Sequence, residues 1–96
     1  MKYTLRYTGE FKHSLKRCLK RGCDEGLLTE VLKILAENGR LPEKYHPHVL
    51  HGQYEGYWEC HLTPNWLLVW DQNDRELVLL MTNTGTHSDL FGKNRR

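Results

Sequence analysis

Trp66-Leu67-Leu68-Val69-Trp70 is the stretch that most limits the fold. It lies between two turn-forming segments, Thr63-Pro64-Asn65 and Gln72-Asn73-Asp74-Arg75. So short an apolar run between turns reads as a strand, and side chains that are apolar on both faces place it centrally in a sheet. Its sequence neighbours are strands as well. Tyr57 to Leu62 alternates, with Tyr57, Glu59 and His61 on one face and Trp58, Cys60 and Leu62 on the other. Glu76 to Thr82 is a further apolar strand. Strands joined in order by tight turns form an antiparallel meander.

The first half has a different period. Residues 2–7 alternate, with Tyr3, Leu5 and Tyr7 on one face, as in a half-buried strand. From Thr8 or Gly9 the spacing becomes helical: Phe11, Leu15, Cys18 and Leu19 make one stripe. Gly22 suits the left-handed residue past a helix end, and Asp24 suits the cap of a second helix. The second helix carries Leu27, Leu28, Val31, Leu32, Ile34 and Leu35, and stops at Gly39 and Pro42. Residues 40–56, punctuated by Pro42, Pro47, Gly52 and Gly56, read as an ordered loop. The expectation is a single α+β domain over residues 1–96: a strand, a helical hairpin, then an antiparallel meander of three to four strands. Thr84–Gly92 is expected to leave the last strand as a glycine-containing turn that puts His87 and Phe91 at a sheet end.

Charge is uneven along the chain. Residues 1–22 hold seven basic residues against one acid, residues 23–92 hold four against eleven, and Lys93, Arg95 and Arg96 follow. Basic ends suit an anionic partner. No apolar run approaches the roughly 20 residues of a membrane span, and Met1-Lys2-Tyr3-Thr4-Leu5-Arg6 lacks the apolar core of a signal peptide. Cys18, Cys23 and Cys60 form no CxxC pair, as expected of a reduced, cytoplasmic chain.

Histidine carries the chemical signal. His48 stands in a loop beside Pro47, His61 at a strand end, and His87 in a polar segment after Gly85. Imidazoles can serve as base or acid near neutral pH. RNA carries its own nucleophile, the 2′-hydroxyl. Its cleavage needs a base, an acid for the 5′-oxygen and cations for the phosphorane charge. Lys44 and Arg6 are candidate cations, and Trp66 or Phe91 could stack on a base. Each has a plainer reading: a loop hydrogen bond for His48, core packing for Trp66, a tail anchor for Phe91. His46, His48, His51 and His61 could also supply metal ligands, but no CxxC, HExxH or HxxxH spacing supports a metal site. Walker, GxGxxG and GxSxG motifs are absent.

Four segments together resemble the YafQ branch of the RelE/ParE superfamily of bacterial type II toxins. They are Tyr45-His46-Pro47-His48-Val49-Leu50-His51-Gly52, Gly56-Tyr57, His61-Leu62-Thr63-Pro64-Asn65-Trp66-Leu67-Leu68-Val69 and Thr84-Gly85-Thr86-His87-Ser88-Asp89-Leu90-Phe91. Residues 41–92 carry the specific match, and residues 1–40 agree only in pattern. The resemblance implies a RelE-like fold and a metal-independent, ribosome-dependent mRNA endoribonuclease without a cofactor. It also implies neutralisation by a cognate antitoxin, whose complex with the toxin binds operator DNA. By position, His48, His61 and His87 match the family's catalytic histidines, and Trp66 and Phe91 match residues at its active site. Asn65 falls where the family typically has an aspartate, and Asn83 where relatives often have an arginine. An amide can orient an imidazole but cannot take its proton, so a second reading is an attenuated binding module acting through antitoxin and operator DNA. A gyrase-directed toxin on the same scaffold would not need three placed imidazoles.

Overall fold

The computed structural model describes residues 2–92. The basic tail residues Lys93, Arg95 and Arg96 lie outside the described residues. Strand β1 (Thr4–Tyr7) leads into helix α1 (Gly9–Lys20) and helix α2 (Glu25–Asn38). Thr8 caps α1 by accepting from the Phe11 N–H, and Asp24 caps α2 by accepting from the Gly26 N–H. Gly22 (φ 98°) and Gly39 (φ 71°) end these helices in the left-handed region, where a Cβ is penalised. The sequence placed all four punctuation points.

Beyond α2 come a short 3₁₀ turn (Glu43–Tyr45), strand β2 (His48–Val49) and a second 3₁₀ turn (Gly52–Tyr54). Strands β3 (Trp58–Thr63), β4 (Trp66–Asn73) and β5 (Val78–Gly85) form the meander, and a one-turn helix α3 (His87–Leu90) follows. The sheet has five strands in the order β1-β5-β4-β3-β2, with β4 in the middle as its composition requires. β1 joins parallel to β5, pairing Thr4 with Val78 and Tyr7 with Met81. The first strand and the antiparallel set β2–β5 match the expected strand and three-to-four-stranded meander, and two details go beyond that expectation. The segment 40–56 contains an edge strand, β2, which pairs His48 with Glu59. Two residues are too few for any alternation to show in sequence. The last strand also starts two residues later than Glu76 and runs on to Gly85, where a helical turn replaces the expected glycine turn.

The sheet is covered on both faces. On one side Phe11, Cys18, Leu28, Val31 and Leu35 of the helices pack on Cys60, Leu62, Trp66, Leu68, Trp70, Leu79 and Met81. On the other side Leu67, Val69 and Leu90 are closed over by Leu50, Tyr54, Tyr57 and Phe91. Burying each large apolar side chain contributes about 1.5–3 kcal/mol, so the covered run at β4 anchors the whole layer. A register shift between Val69 and Trp70 lets Asn83 and Thr84 swap faces relative to Met81. No helix among the described residues is long and apolar enough to cross a membrane.

Candidate active site

Register lines up the histidines across one end of the sheet. His61 pairs with Leu67, and Leu67 pairs with Gly85, two residues before His87. One strand further out, His48 pairs with Glu59 beside His61. With strands roughly 4.8 Å apart, three imidazoles sit along a single sheet margin. The loop before β2 tightens this group. His46 adopts a left-handed conformation (φ 51°, ψ 52°), unusual for a residue preceding proline. That turn aims its carbonyl at the His48 Nδ1, 2.8 Å away. The His46 and His61 rings are 5.6 Å apart, and those of His48 and His61 6.3 Å. Lys44, His46, His61, Leu62, Thr63 and Pro64 line a hollow of about 220 Å³.

His87 follows the end of β5, and its position depends on α3. Thr86 caps this helix by accepting from the Asp89 N–H (3.0 Å), and the Asp89 carboxylate accepts from the Thr86 N–H (2.9 Å). Arg21, at the end of α1, donates to the same carboxylate at 2.8 Å, with Arg17 at 3.9 Å. The Arg21 hydrogen bond holds the Asp89 carboxyl well below the usual carboxylate range, against partial burial and with help from Thr86. A depressed folded value stabilises above the unfolded value, about 3.9, and is lost only as the pH falls through the lower folded one. Docking of α3 is therefore expected to be unchanged between pH 7 and pH 4. Amide exchange at Leu90 and Phe91, whose N–H groups bond within this turn, reads it. Asp89→Ala should speed that exchange about fivefold, for a loss near 1 kcal/mol. Equal exchange in the variant would remove the role assigned to Asp89.

Phe91 lies where the sequence put it. Its ring is 4.8 Å from the His87 ring and 5.6 Å from that of Tyr54, and it is partly exposed. Asn65 is exposed in the β3–β4 turn, where its N–H donates to Thr63 Oγ1 at 3.3 Å. Asn83 is buried, with its amide directed to Glu10 Oε2 (3.2 Å) and the Tyr54 hydroxyl (3.5 Å), so it braces the floor under Tyr54. Arg6 is not brought to the histidines. It is exposed on β1 in a separate hollow with Asp71, Asn73 and Glu76.

Trp66 requires a correction. It is only 3% exposed and belongs to the helix-side core, so its ring is unavailable to stack on a base. Its Nε1–H donates to Thr84 Oγ1 (2.9 Å), and that hydroxyl donates to the Leu67 carbonyl (2.7 Å). Alternation decides this: residues 66, 68 and 70 of β4 face the helices, while 67 and 69 face the other side. Trp66→Phe is expected to lower stability by about 1–2 kcal/mol through the lost buried hydrogen bond. An unchanged midpoint in chemical denaturation would show that this hydrogen bond contributes nothing.

Three contributors were not singled out from sequence. Glu59 is 5% exposed and bonds the His48 Nε2 at 2.9 Å. An acid alternating with Trp58 and Cys60 in a buried strand was the available signal. His46, weighed from sequence only as a metal ligand, supplies both a ring and a carbonyl. Tyr54 connects Asn83 to Phe91. Among the described residues no group of three His, Cys, Asp or Glu side chains is placed to hold a metal ion. Burial pushes the Cys60 thiol up to about 12, as befits an inert core residue.

Comparison with known proteins bears on this geometry. Residues 3–92 match the family described as the bacterial toxin of type II toxin–antitoxin systems, YafQ. The mRNA interferase toxin YafQ of Escherichia coli strain K12 is 34% identical over 89 residues, covering 92% of this chain and 95% of that protein. The crystal structure of YafQ from E. coli BL21(DE3) superposes with a TM-score of 0.86 at 32% identity, over 94% of this chain and 99% of that one. The E. coli DinJ–YafQ complex gives 0.84 at 33% identity, over 94% and 99%. A metal-bound toxin from Helicobacter pylori gives 0.83 at 37% identity, over 93% and 99%. The five-stranded layer with its three helices is thus a RelE-like α+β fold.

Proposed function

The chain belongs to the YafQ family of toxins of bacterial type II toxin–antitoxin systems, and on that premise we propose that it is an mRNA interferase: a ribosome-dependent endoribonuclease of the cytoplasm, acting as one domain over residues 1–96. The observation that carries this reading is the imidazole margin, with His61 and His48 on neighbouring strands and His87 two residues beyond the same register row. In the reaction the 2′-oxygen forms a bond to phosphorus and the bond from phosphorus to the 5′-oxygen breaks. A base takes the 2′-hydroxyl proton, and an acid gives one to the leaving oxygen. His48, His61 and His87 supply the acid–base and cationic groups. Asn65 orients an imidazole, Phe91 stacks on a base, and Lys44 meets a phosphate. Arg6 contacts RNA further out. No step draws on a metal ion.

This chemistry leaves a diagnostic product. Attack by the 2′-hydroxyl yields a cyclic phosphate upstream and a 5′-hydroxyl downstream. After induced expression in cells, sequencing of RNA ends is expected to show new 5′-hydroxyl ends inside reading frames, together with growth arrest. New ends carrying 5′-phosphates would overturn the mechanism, since they require attack by water. The partner is a cognate antitoxin, as the E. coli YafQ structure has DinJ; operator DNA is reached through that complex.

Asn65 favours keeping the attenuated binding module in view. Because the residue is exposed, a carboxylate there would be solvated and screened. Asn65→Asp is therefore expected to raise the single-turnover rate by about tenfold at most. A gain of about 10³-fold would instead mark the natural chain as an attenuated module.

A further inference from the structure

We propose that Glu59 is a positioning residue for this chemistry, and that it holds His48 as a fixed cation rather than leaving it as the base that takes the 2′-hydroxyl proton. The inference deepens the ribonuclease reading and rests on it for the role in catalysis, though not for the ion pair itself. Its basis is a proton inventory. The His48 Nδ1 faces the His46 carbonyl at 2.8 Å, and a carbonyl only accepts, so this nitrogen carries hydrogen. Nε2 faces Glu59 Oε1 at 2.9 Å. A neutral ring already protonated on Nδ1 would set its lone pair against a carboxylate, so this contact needs a proton of its own.

Imidazole is intrinsically the stronger base of the two, and exposure of its ring favours the cation, while burial of the Glu59 carboxyl works against its own charge. The His48 side chain is 46% exposed and can be solvated as a cation, whereas that of Glu59 is 6% exposed. Oε2 of Glu59 is buried with no hydrogen-bond partner among the described residues. A buried carboxylate so poorly satisfied depends on the one cation beside it. The His61 ring faces the same imidazole from β3, the His46 ring in turn faces His61, and Lys44 lines the adjoining hollow.

With both nitrogens committed, His48 has no free lone pair to offer substrate. Its contribution is positive charge at the place where the phosphorane gathers negative charge. Proton transfer then falls to His61 and His87: one takes the proton from the 2′-oxygen, and the other gives one to the 5′-oxygen.

The test pairs a spectrum with a rate. In ¹⁵N spectra of the free wild-type chain at neutral pH, His48 should show protons on both ring nitrogens. In Glu59→Gln, whose amide can donate to Nε2, only Nδ1 should remain protonated, and cleavage should fall about 10²-fold. His48→Arg, a cation that cannot act as base, should keep far more activity than His48→Ala. Adding Glu59→Gln to His48→Ala should cost nothing further. An unprotonated Nε2 in the wild type, or Glu59→Gln cutting at the wild-type rate, would overturn the proposal. His48→Arg as inactive as His48→Ala would do the same. A wild-type chain that cuts no mRNA would defeat the ribonuclease reading and the catalytic role together, while the spectrum still decides the ion pair.

Discussion

His87→Ala is expected to reduce mRNA cleavage by about 10²–10⁴-fold, the usual contribution of a positioned acid or base, with little change in stability. The imidazole is exposed at the first position of α3, and its closest described ring neighbour is Phe91 at 4.8 Å. Substitutions at such surface positions usually fall within about 0.5 kcal/mol of the parent. Loss of rate and loss of fold are therefore separable here, which is untrue of the buried strand residues. Single-turnover kinetics on ribosome-bound message, with thermal denaturation in parallel, makes the comparison. If His87→Ala cuts at the wild-type rate and still arrests growth, His87 is not a participant.

The second large effect lies two residues earlier, in the backbone. Gly85 ends β5 at φ 156°, and a Cβ there would stand 2.8 Å from both Cβ and Oδ2 of Asp89. Asp89 has little room to yield. Its carboxylate is held by Arg21 and by the Thr86 N–H, and its own N–H by Thr86 Oγ1. Gly85→Ala must therefore strain the backbone, break the capping box or tilt α3. Backbone strain and overpacking each cost about 1–3 kcal/mol, so a loss of about 2–4 kcal/mol is expected, or a Tm lower by roughly 10 °C or more. Activity should fall further than stability explains, because α3 sets His87, and a displacement near 1 Å can cost about 10²-fold. Gly85→Ala with an unchanged Tm and full cleavage would show that α3 is not held by this contact.

The sequence disclosed those parts of the fold that repeat over several residues or are punctuated by one special residue. The apolar run of β4, the alternation of β3, and the helix ends at Thr8, Gly22, Asp24 and Gly39 were all legible for that reason. What stayed hidden depends on pairing between distant segments. The parallel docking of β1 on β5 joins residues more than seventy positions apart, and β2 exists only because β3 offers it an edge. At the site, the histidines could be picked out as residue types in loops, and Phe91 as an aromatic beside one of them. Trp66 could not be resolved between core and platform until the phase of β4 was known. Glu59 showed in the sequence only as an acid beside Trp58 and Cys60. Its meaning comes from His48, which lies opposite it on the neighbouring strand.

The most direct test of the central claim is primer extension on a reporter mRNA incubated with the purified chain, with and without ribosomes. Cuts at defined codon positions only when ribosomes are present are expected, and they should vanish with His87→Ala. Intact message in the presence of ribosomes, from a folded chain that still binds its antitoxin, would contradict the endoribonuclease account and leave the attenuated binding module in its place.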